Sequence, residues 1–210
     1  MKKIVLAGLF LLSCFAVSAQ AVNHHRWPID YFASPEVSAW YDHATSGTPN
    51  LRYDSVLILS SDPAWYNWPV YGRHHGTDIK WNGTSTSVRA GALGSLYYRQ
   101  DGCGNNPPSS DTACYGYGNH VRILHPDGKV TIYAHLQAGS VSGLASNLCG
   151  YQVGIMGNSG TSEATHLHLE MWSDIYATQR IDHFGGSSSG LVYWVSQNAN
   201  GYGKPSMVCE

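Results

Sequence analysis

Short runs of apolar and polar residues in alternation, separated by turn residues, recur along most of the chain. The runs are rich in Val, Ile, Leu, Thr and Tyr, and no long stretch repeats apolar residues at the helical period. Clusters of Gly, Asn, Asp and Pro between the runs favour turns, because these residues suit the backbone angles that turns need. The pattern predicts strands at residues 55–59, 95–99, 120–124, 130–134, 152–156, 167–172 and 191–195. We therefore expect a mostly β fold, a single antiparallel β-sheet domain with long loops.

The first fifty residues depart from this pattern. Lys2 and Lys3 precede an apolar run over residues 4–17 and then small residues, which predicts a signal peptide over residues 1–20. The run is shorter than the ~20 residues that anchor a chain in a bilayer. A lipoprotein cleavage site before Cys14 is the alternative, for which Leu12 is an awkward residue. We expect an exported mature protein without a membrane anchor, periplasmic or extracellular.

Residues 21–52 form a second distinct stretch, in which Trp and Pro are scattered among polar residues. This composition predicts an ordered lead-in segment that packs on the core, with one short helix near residues 35–43. Residues 53–210 then form the main domain, and their length suits a single core.

Charge gives no indication of a nucleic-acid partner. Removal of residues 1–20 takes away Lys2 and Lys3 and changes the formal net charge from −2 to −4. The remaining charges are sparse and scattered, whereas nucleic-acid binders usually carry a basic patch. A partner recognised by shape and hydrogen bonding is the better expectation.

The cysteines point to an oxidising compartment. Four remain after signal removal, and an even number in an exported chain favours two disulfides. No two of them have the C-x-x-C spacing of a zinc site. Three pairings are possible. The simplest joins Cys103 to Cys114, which bracket a turn-rich segment, and leaves Cys149 with Cys209.

Two groups of side chains have spacing suited to a shared metal site. His74 and Asp78 stand four apart in a segment that favours a loop running into a strand. In the predicted strand 167–172, side chains alternate between faces, so His166, His168 and Glu170 share one face. Glu170 either orients a histidine or faces solvent.

A third group lies on the predicted strand 130–134 and its continuation. The same alternation places Tyr133 and His135 on one face and Ala134 and Leu136 on the other. The histidines that lack a partner at useful spacing are expected to be surface or hydrogen-bonded residues. They are His24, His25, His43, His120, His125 and His183.

Five motifs in order resemble the lysostaphin-type zinc endopeptidases, which include LytM and the beta-lytic peptidases. They are residues 74–79, matching the family's H-x-G-x-D-I; residues 88–90 with Gly94; residues 118–123; residues 133–136; and residues 157–160 followed by 166–170. The resemblance covers about residues 68–172. Leu169 stands where phenylalanine is common, and the insertion between Cys103 and Cys114 lengthens a strand connection.

The resemblance implies that residues 53–210 form a zinc metallopeptidase domain whose groove carries one zinc ion per chain. His74, Asp78 and His168 would be the metal ligands, which leaves a fourth position for water. His135 and His166 would be the catalytic histidines beside the metal. The resemblance does not say which of the two accepts the proton from water.

The family's substrates are peptide bonds of bacterial peptidoglycan. We favour cross-links from D-Ala to diaminopimelate, because no separate wall-binding domain is recognisable. The alternative is an endopeptidase for Gly-Gly bonds in wall bridges or in glycine-rich proteins such as elastin. An alternative of another class is an exported protein that binds wall peptides or metal without hydrolysis. We expect a monomer, with a substrate groove formed by His75, Trp81, Asn119 and Tyr133.

Overall fold

All regular elements that the structure describes are strands. The structure is a computed structural model that describes residues 25–30, 36–39, 41, 74–80, 85–147, 149–184, 193–194 and 206–209. Its strands are β1 (Glu36–Ala39), β2 (Gly76–Lys80), β3 (Ser87–Arg89), β4 (Gly94–Gln100), β5 (Asn119–Leu124), β6 (Val130–Leu136), β7 (Ser146–Asn147), β8 (Gln152–Ile155), β9 (Leu167–Trp172) and β10 (Arg180–Ile181). Within these residues no helix is long and apolar enough to cross a membrane.

Eight of the strands form one antiparallel sheet. Its order is β1-β2-β9-β6-β5-β4-β7. Strand β10 pairs with the last two residues of β9, beyond the part of β9 that pairs with β2. Strands β3 and β8 form a second, two-stranded antiparallel sheet. Strands β6 and β9 lie in the middle of the large sheet and are buried along their whole length. The prediction of a mostly β, antiparallel fold is confirmed.

Most of the strands expected from the alternation pattern are present. Those predicted at 95–99, 120–124, 130–134 and 167–172 coincide with β4, β5, β6 and β9, and the one at 152–156 with β8. The segment 55–59 lies outside the described residues, and of 191–195 only residues 193–194 are described. Of those two, Trp194 forms an isolated bridge with His25.

The short helix expected near residues 35–43 is wrong where the structure describes it. Glu36–Ala39 forms strand β1, which pairs with β2 and places Val37 opposite Ile79. Pairing with the sheet edge satisfies the backbone of this segment, and Val37 packs against the core. Trp27 and Ile29, earlier in the same lead-in segment, are fully buried in that core. The predicted signal peptide over residues 1–20 lies outside the described residues.

The two faces of the large sheet differ, and this difference positions the site. One face carries the main core, in which Ile79 of β2, Leu167 and Leu169 of β9 and Tyr133 of β6 pack together. The opposite face carries a smaller apolar cluster formed by Val130, Ile132, Ala134 and Trp172. Because side chains alternate along a strand, Asp78 and His168 lie on this second face.

Both expected disulfides are present. Cys103 bonds to Cys114 across 11 residues, and Cys149 bonds to Cys209 across 60 residues. The first closes the loop that follows β4. The second ties residues 206–209, near the end of the chain, to the loop before β8.

Candidate active site

Strands β2 and β9 bring the first two chemical groups together. Their antiparallel register places Asp78 directly opposite His168 and Gly76 opposite Glu170. A Cβ atom on Gly76 would lie 2.6 Å from Cε1 of His168 and 2.7 Å from the carbonyl oxygen of Leu169. The imidazole therefore packs on bare backbone, and this explains why the segment needs glycine at this position.

His74 completes a triangle of donor atoms with Asp78 and His168. Its Nε2 lies 3.1 Å from Oδ1 of Asp78 and 3.2 Å from Nδ1 of His168, and Nδ1 of His168 lies 2.8 Å from the same Oδ1. A tetrahedral zinc ion with bonds of ~2.0–2.1 Å separates its ligand atoms by about 3.3 Å. The donor set of two imidazoles and one carboxylate fits one zinc ion, and His74, Asp78 and His168 are the candidate metal ligands.

The electrostatics of the triangle favour a cation. Burial raises the pKa of Asp78, but the adjacent His74, His166 and His168 outweigh it and hold that pKa well below its usual value. Burial lowers the pKa of His168, but the carboxylates of Asp78 and Glu170 outweigh it and raise the pKa. The carboxylate charge around the ligand nitrogens therefore favours a positive charge at this position. A metal ion can supply that charge, and its binding requires deprotonated ligand nitrogens.

Glu170 contacts His168 on the side of the ring away from the ligand triangle. Of the two roles expected for it, orienting a histidine or facing solvent, the structure favours the first. The carboxyl group is buried and accepts hydrogen bonds from the Tyr117 hydroxyl at 2.5 Å, Trp172 Nε1 at 2.5 Å and His168 Nε2 at 3.3 Å. Arg180 adds an ion pair at 2.5 Å. Burial raises the pKa of Glu170, but the contacts with His168, then Tyr117 and Trp172, lower it to about 2. An ionised Glu170 at Nε2 leaves Nδ1 of His168 to face the metal site.

His135 reaches the site through an interruption of strand β6. Its φ angle is 59°, and the register between β5 and β6 shifts between the pairs Asn119–Leu136 and Val121–Tyr133. Between these pairs β6 has one residue more than β5, and this breaks the alternation of its side chains, as in a β-bulge. Tyr133 and Leu136 both point into the core, while the ring of His135 lies 5.8 Å from that of His168. The expectation that Tyr133 and His135 share a face is therefore wrong.

His135 and His166 are held in the same way. Nδ1 of His135 donates to the carbonyl of Ser159 at 2.8 Å, and Nδ1 of His166 donates to the carbonyl of Ala164 at 2.8 Å. Their rings lie 4.7 Å apart, and Nε2 of His166 is 3.6 Å from Oδ2 of Asp78. Since carbonyls only accept, both Nδ1 atoms carry protons, and Nε2 is the nitrogen available for chemistry.

Burial decides the charge of His135. Its side chain is 7% exposed, and burial lowers its pKa to about 3, with the nearby His166 and His168 acting in the same direction. At neutral pH His135 is therefore an uncharged imidazole with a free lone pair on Nε2. The structure brings all five predicted site residues to one place.

The expected groove residues fare differently. Tyr133 is fully buried, and its hydroxyl accepts a hydrogen bond from the Gly91 backbone at 2.7 Å, so the prediction that it lines the groove is wrong. The prediction is wrong for Asn119 as well, because that residue is also fully buried. His75 is exposed, with its ring 6.3 Å from that of Tyr41. Trp81 lies outside the described residues.

Asn119 instead connects the disulfide loop to the site. Its amide donates to the carbonyls of Cys103 and Leu136, at 3.0 Å each, and accepts from the Cys103 backbone at 2.7 Å. Its own backbone N–H donates to Oγ of Ser159 at 2.9 Å. Ser159 in turn offers its carbonyl to His135. Sequence reasoning missed this role, although the Gly-Asn pair at the start of β5 marked a position with special backbone demands.

The other histidines, for which the sequence showed no partner at a spacing suited to a metal site, are mostly buried. His25, His120, His125 and His183 are all buried, so of the two expected settings, the surface or a hydrogen-bonded position, only the second is open to them. Hydrogen bonds hold two of them as expected: His120 Nδ1 donates to the Gly118 carbonyl, and His125 contacts Leu93 O and Thr131 Oγ1, each at 2.8 Å. His24 and His43 lie outside the described residues.

Comparisons with known proteins agree with this arrangement. The family model described as Peptidase family M23 matches residues 72–182. The cell division protein DipM of Caulobacter vibrioides is 30% identical over 127 residues, which are 54% of this chain and 19% of DipM. The DD-carboxypeptidase/endopeptidase Mpg of Neisseria meningitidis is 46% identical over 56 residues, which are 26% of this chain and 13% of Mpg. The chain thus spans less than a fifth of either relative.

The fold recurs in solved structures. A zinc containing peptidase from Vibrio cholerae superposes with a TM-score of 0.50 at 16% identity, over 79% of this chain and 40% of that one. At this identity the likeness concerns the fold.

Proposed function

The chain belongs to peptidase family M23, and from this we propose that it is an exported zinc endopeptidase that hydrolyses peptide cross-links of bacterial peptidoglycan. The observation that carries the proposal is the site itself. His74, Asp78 and His168 point three ligand atoms at one position, with the rings of His135 and His166 beside them. The relative Mpg is named a DD-carboxypeptidase/endopeptidase, which supports a wall peptide as the substrate.

The metal ligands and their supports have separate tasks. When bound, zinc supplies a Lewis acid that polarises the scissile carbonyl and makes water nucleophilic near neutral pH. Asp78 supplies the negative charge that retains the cation. Glu170 fixes the ring of His168 so that Nδ1 faces the ligand position.

The two other histidines divide the proton transfers. His135 accepts the proton of the attacking water, because Nε2 carries a free lone pair and burial keeps the imidazole uncharged. Nε2 of His166 lies 3.6 Å from Oδ2 of Asp78 and so faces the ligand triangle. We assign to His166 the contact with the developing oxyanion and the transfer of a proton to the leaving amine.

Export is part of the proposal. Two disulfides suit an oxidising compartment, and the predicted signal peptide would deliver the chain there. Cross-links from D-Ala to diaminopimelate remain the favoured substrate, ahead of Gly-Gly bonds.

Digestion of purified muropeptides tests the proposal directly. The zinc-loaded protein should cleave dimers with direct D-Ala to diaminopimelate cross-links, with products identified by mass, and should leave pentaglycine intact. His135→Ala and His166→Ala should each lower cleavage by about 10²- to 10⁴-fold.

The control for these variants is their metal content. Both should retain one zinc ion per chain, because neither residue belongs to the ligand triangle. Unchanged cleavage in both variants, or no cleavage of any wall peptide by the zinc-loaded protein, would refute the proposed function. Cleavage of pentaglycine alone would refute the favoured bond.

A further inference from the structure

Arg122 lies near the candidate active site, and its guanidinium is enclosed by aromatic rings. Its Cζ atom lies 4.8 Å from the ring centroid of Tyr98, 4.8 Å from that of Trp172 and 5.8 Å from that of Tyr117. Contacts of this kind hold the planar group in one orientation. Arg122 is half-buried, so part of it faces solvent.

The guanidinium is on the same face of the sheet as the metal ligands. Arg122 of β5 pairs with Ile132 of β6, which pairs with Glu170 of β9. Residues that pair across neighbouring strands point to the same face, and Glu170 shares its face with His168. The ring of Tyr117 stands between the two groups, with its centroid 5.9 Å from the ring of His168.

Among the residues that the structure describes, none neutralises the charge of Arg122. Its Nε donates to Nε2 of His120 at 3.2 Å. Burial lowers the pKa of His120 to about 4, so this partner is uncharged. Within the part of the chain that the structure describes, no carboxylate forms an ion pair with Arg122. The nearby Glu170 is taken up by Arg180, Tyr117, Trp172 and His168.

We propose that Arg122 binds a free carboxylate of the peptide substrate and thereby selects cross-links that contain diaminopimelate. The proposal rests on the proposed function and deepens it. The guanidinium is held flat, and its two terminal nitrogens donate to no group among the described residues. Such a group matches a carboxylate through two parallel hydrogen bonds. Diaminopimelate retains a free carboxylate after it is cross-linked, whereas a Gly-Gly bridge has none. An arginine beside the site that has no carboxylate partner in the described part of the chain therefore favours the first substrate over the second.

Tyr117 lies between the candidate metal site and Arg122 and sets the distance between them. Its hydroxyl donates to Glu170, which orients His168, and its ring contacts the Arg122 guanidinium. One aromatic ring thus separates the reacting centre from the bound carboxylate. Arg122 is accordingly a specificity residue that touches the substrate beside the scissile bond.

The test compares one cross-linked peptide in two forms, with the diaminopimelate carboxylates free or amidated. The wild-type protein should cleave the free-carboxylate form with a kcat/KM about tenfold or more above that of the amidated form. Arg122→Gln should bring this ratio close to one, with most of the change in KM. Arg122→Lys, which keeps the charge but loses the planar fork, should give an intermediate ratio.

Arg99→Gln is the matched control. Arg99 is an exposed arginine on the adjacent strand β4. It pairs with Val121, whose side chain is in the main core, so Arg99 lies on the opposite face of the sheet from Arg122. This variant should keep the wild-type ratio. A wild-type ratio near one, or a ratio that Arg122→Gln leaves at the wild-type value, would overturn the inference. A change of equal size in Arg99→Gln would also overturn it, since the effect would then be one of general charge.

An equilibrium measurement separates this inference from the proposed function. Titration of the zinc-loaded protein with an uncross-linked stem peptide that contains diaminopimelate reports binding without cleavage. Binding should weaken about tenfold on amidation in the wild type and should be insensitive to amidation in Arg122→Gln. If no peptide is cleaved but this pattern is found, the proposed function fails and the carboxylate site stands. If cleavage is found without this pattern, the proposed function stands and the carboxylate site fails.

Discussion

The protein contains two groups of histidines on opposite faces of one sheet, and they differ in charge and in hydrogen bonding. The metal-site cluster consists of His74, His135, His166 and His168 around Asp78. The interior cluster consists of His25, His125 and His183, with ring centroids 4.7 Å and 5.4 Å apart. The interior cluster lies on the core side of the sheet. His125 contacts Thr131, which pairs with Met171 of β9. Met171 points to the face opposite that of His168 and Glu170, because side chains alternate along the strand.

Carboxylates account for much of the difference. In the metal-site cluster Asp78 and Glu170 raise the pKa of His168. In the interior cluster burial dominates, and it lowers the pKa of His125 and brings that of His183 to about 3. His183 stacks on the ring of Trp194 at 5.0 Å, and among the described residues its Nε2 has no hydrogen-bond partner. His125 and His183 are therefore uncharged at neutral pH.

His125 and His168 also differ in how they use their ring nitrogens. Both ring nitrogens of His125 are used, by the Leu93 carbonyl and the Thr131 hydroxyl. His168 uses Nε2 for Glu170 and keeps Nδ1 for the ligand triangle. A cluster of histidines binds a metal ion when a carboxylate supplies charge and each ring has one nitrogen free, so histidine number alone does not identify a site.

The strongest test of this contrast replaces one histidine from each cluster. His168→Ala removes a candidate metal ligand and should abolish stoichiometric zinc binding and lower cleavage by at least about 100-fold. His125→Ala should keep one zinc ion per chain. It should destabilise the fold by about 2 to 3 kcal/mol, because its two hydrogen-bond partners lose a buried ring. Metal analysis and denaturant unfolding of both variants give the comparison. Full zinc retention in His168→Ala would contradict the ligand assignment.

A smaller effect is expected when the support of a ligand is changed. Glu170→Gln keeps the size of the side chain but removes the charge behind His168. Zinc affinity should fall by about 10- to 100-fold, as for other groups that orient a metal-binding histidine. Competition with a chelator of known affinity measures the change. An unchanged affinity would show that the hydrogen bond to Nε2 does not orient the ligand.

Parts of this arrangement follow from sequence patterns. The alternation in residues 167–172 correctly placed His168 and Glu170 on one face and Leu167 and Leu169 in the core. The order of the motifs indicated the family. These features are local, because a strand has a fixed period and a motif has fixed spacing.

Other parts depend on contacts distant in sequence, and the patterns missed them. The φ angle of His135 interrupts the alternation of β6, which no period could show. Segment 36–39 is a strand because the edge of β2 is available to it, whereas its own sequence also suited a short helix. The burial of Glu170 depends on Tyr117, 53 residues away, and on Arg180. Tertiary pairing decided each of these.

The smallest predicted effect concerns the interior cluster and pH. The pKa of His183 is about 3 in the fold, chiefly through burial and then through His125, against about 6.5 for a free histidine. The unfolded chain therefore binds a proton below pH 6.5 that the folded chain does not bind, and stability falls as the pH drops from about 6.5 towards 3. For this residue the loss between pH 7 and pH 5 should be about 2 kcal/mol.

His183→Leu isolates this contribution, because leucine is close in volume and does not titrate. Urea unfolding of the zinc-free protein at pH 7 and pH 5 should show a loss of stability about 2 kcal/mol smaller in the variant than in the wild type. The metal-site histidines titrate in both proteins and cancel in this difference, whatever the absolute stability of the variant. An equal loss in the two proteins would mean that the pKa of His183 is not lowered in the fold. The interior cluster would then carry charge at pH 5, and its contrast with the metal-site cluster would rest on the ring nitrogens that His125 uses and His168 keeps free.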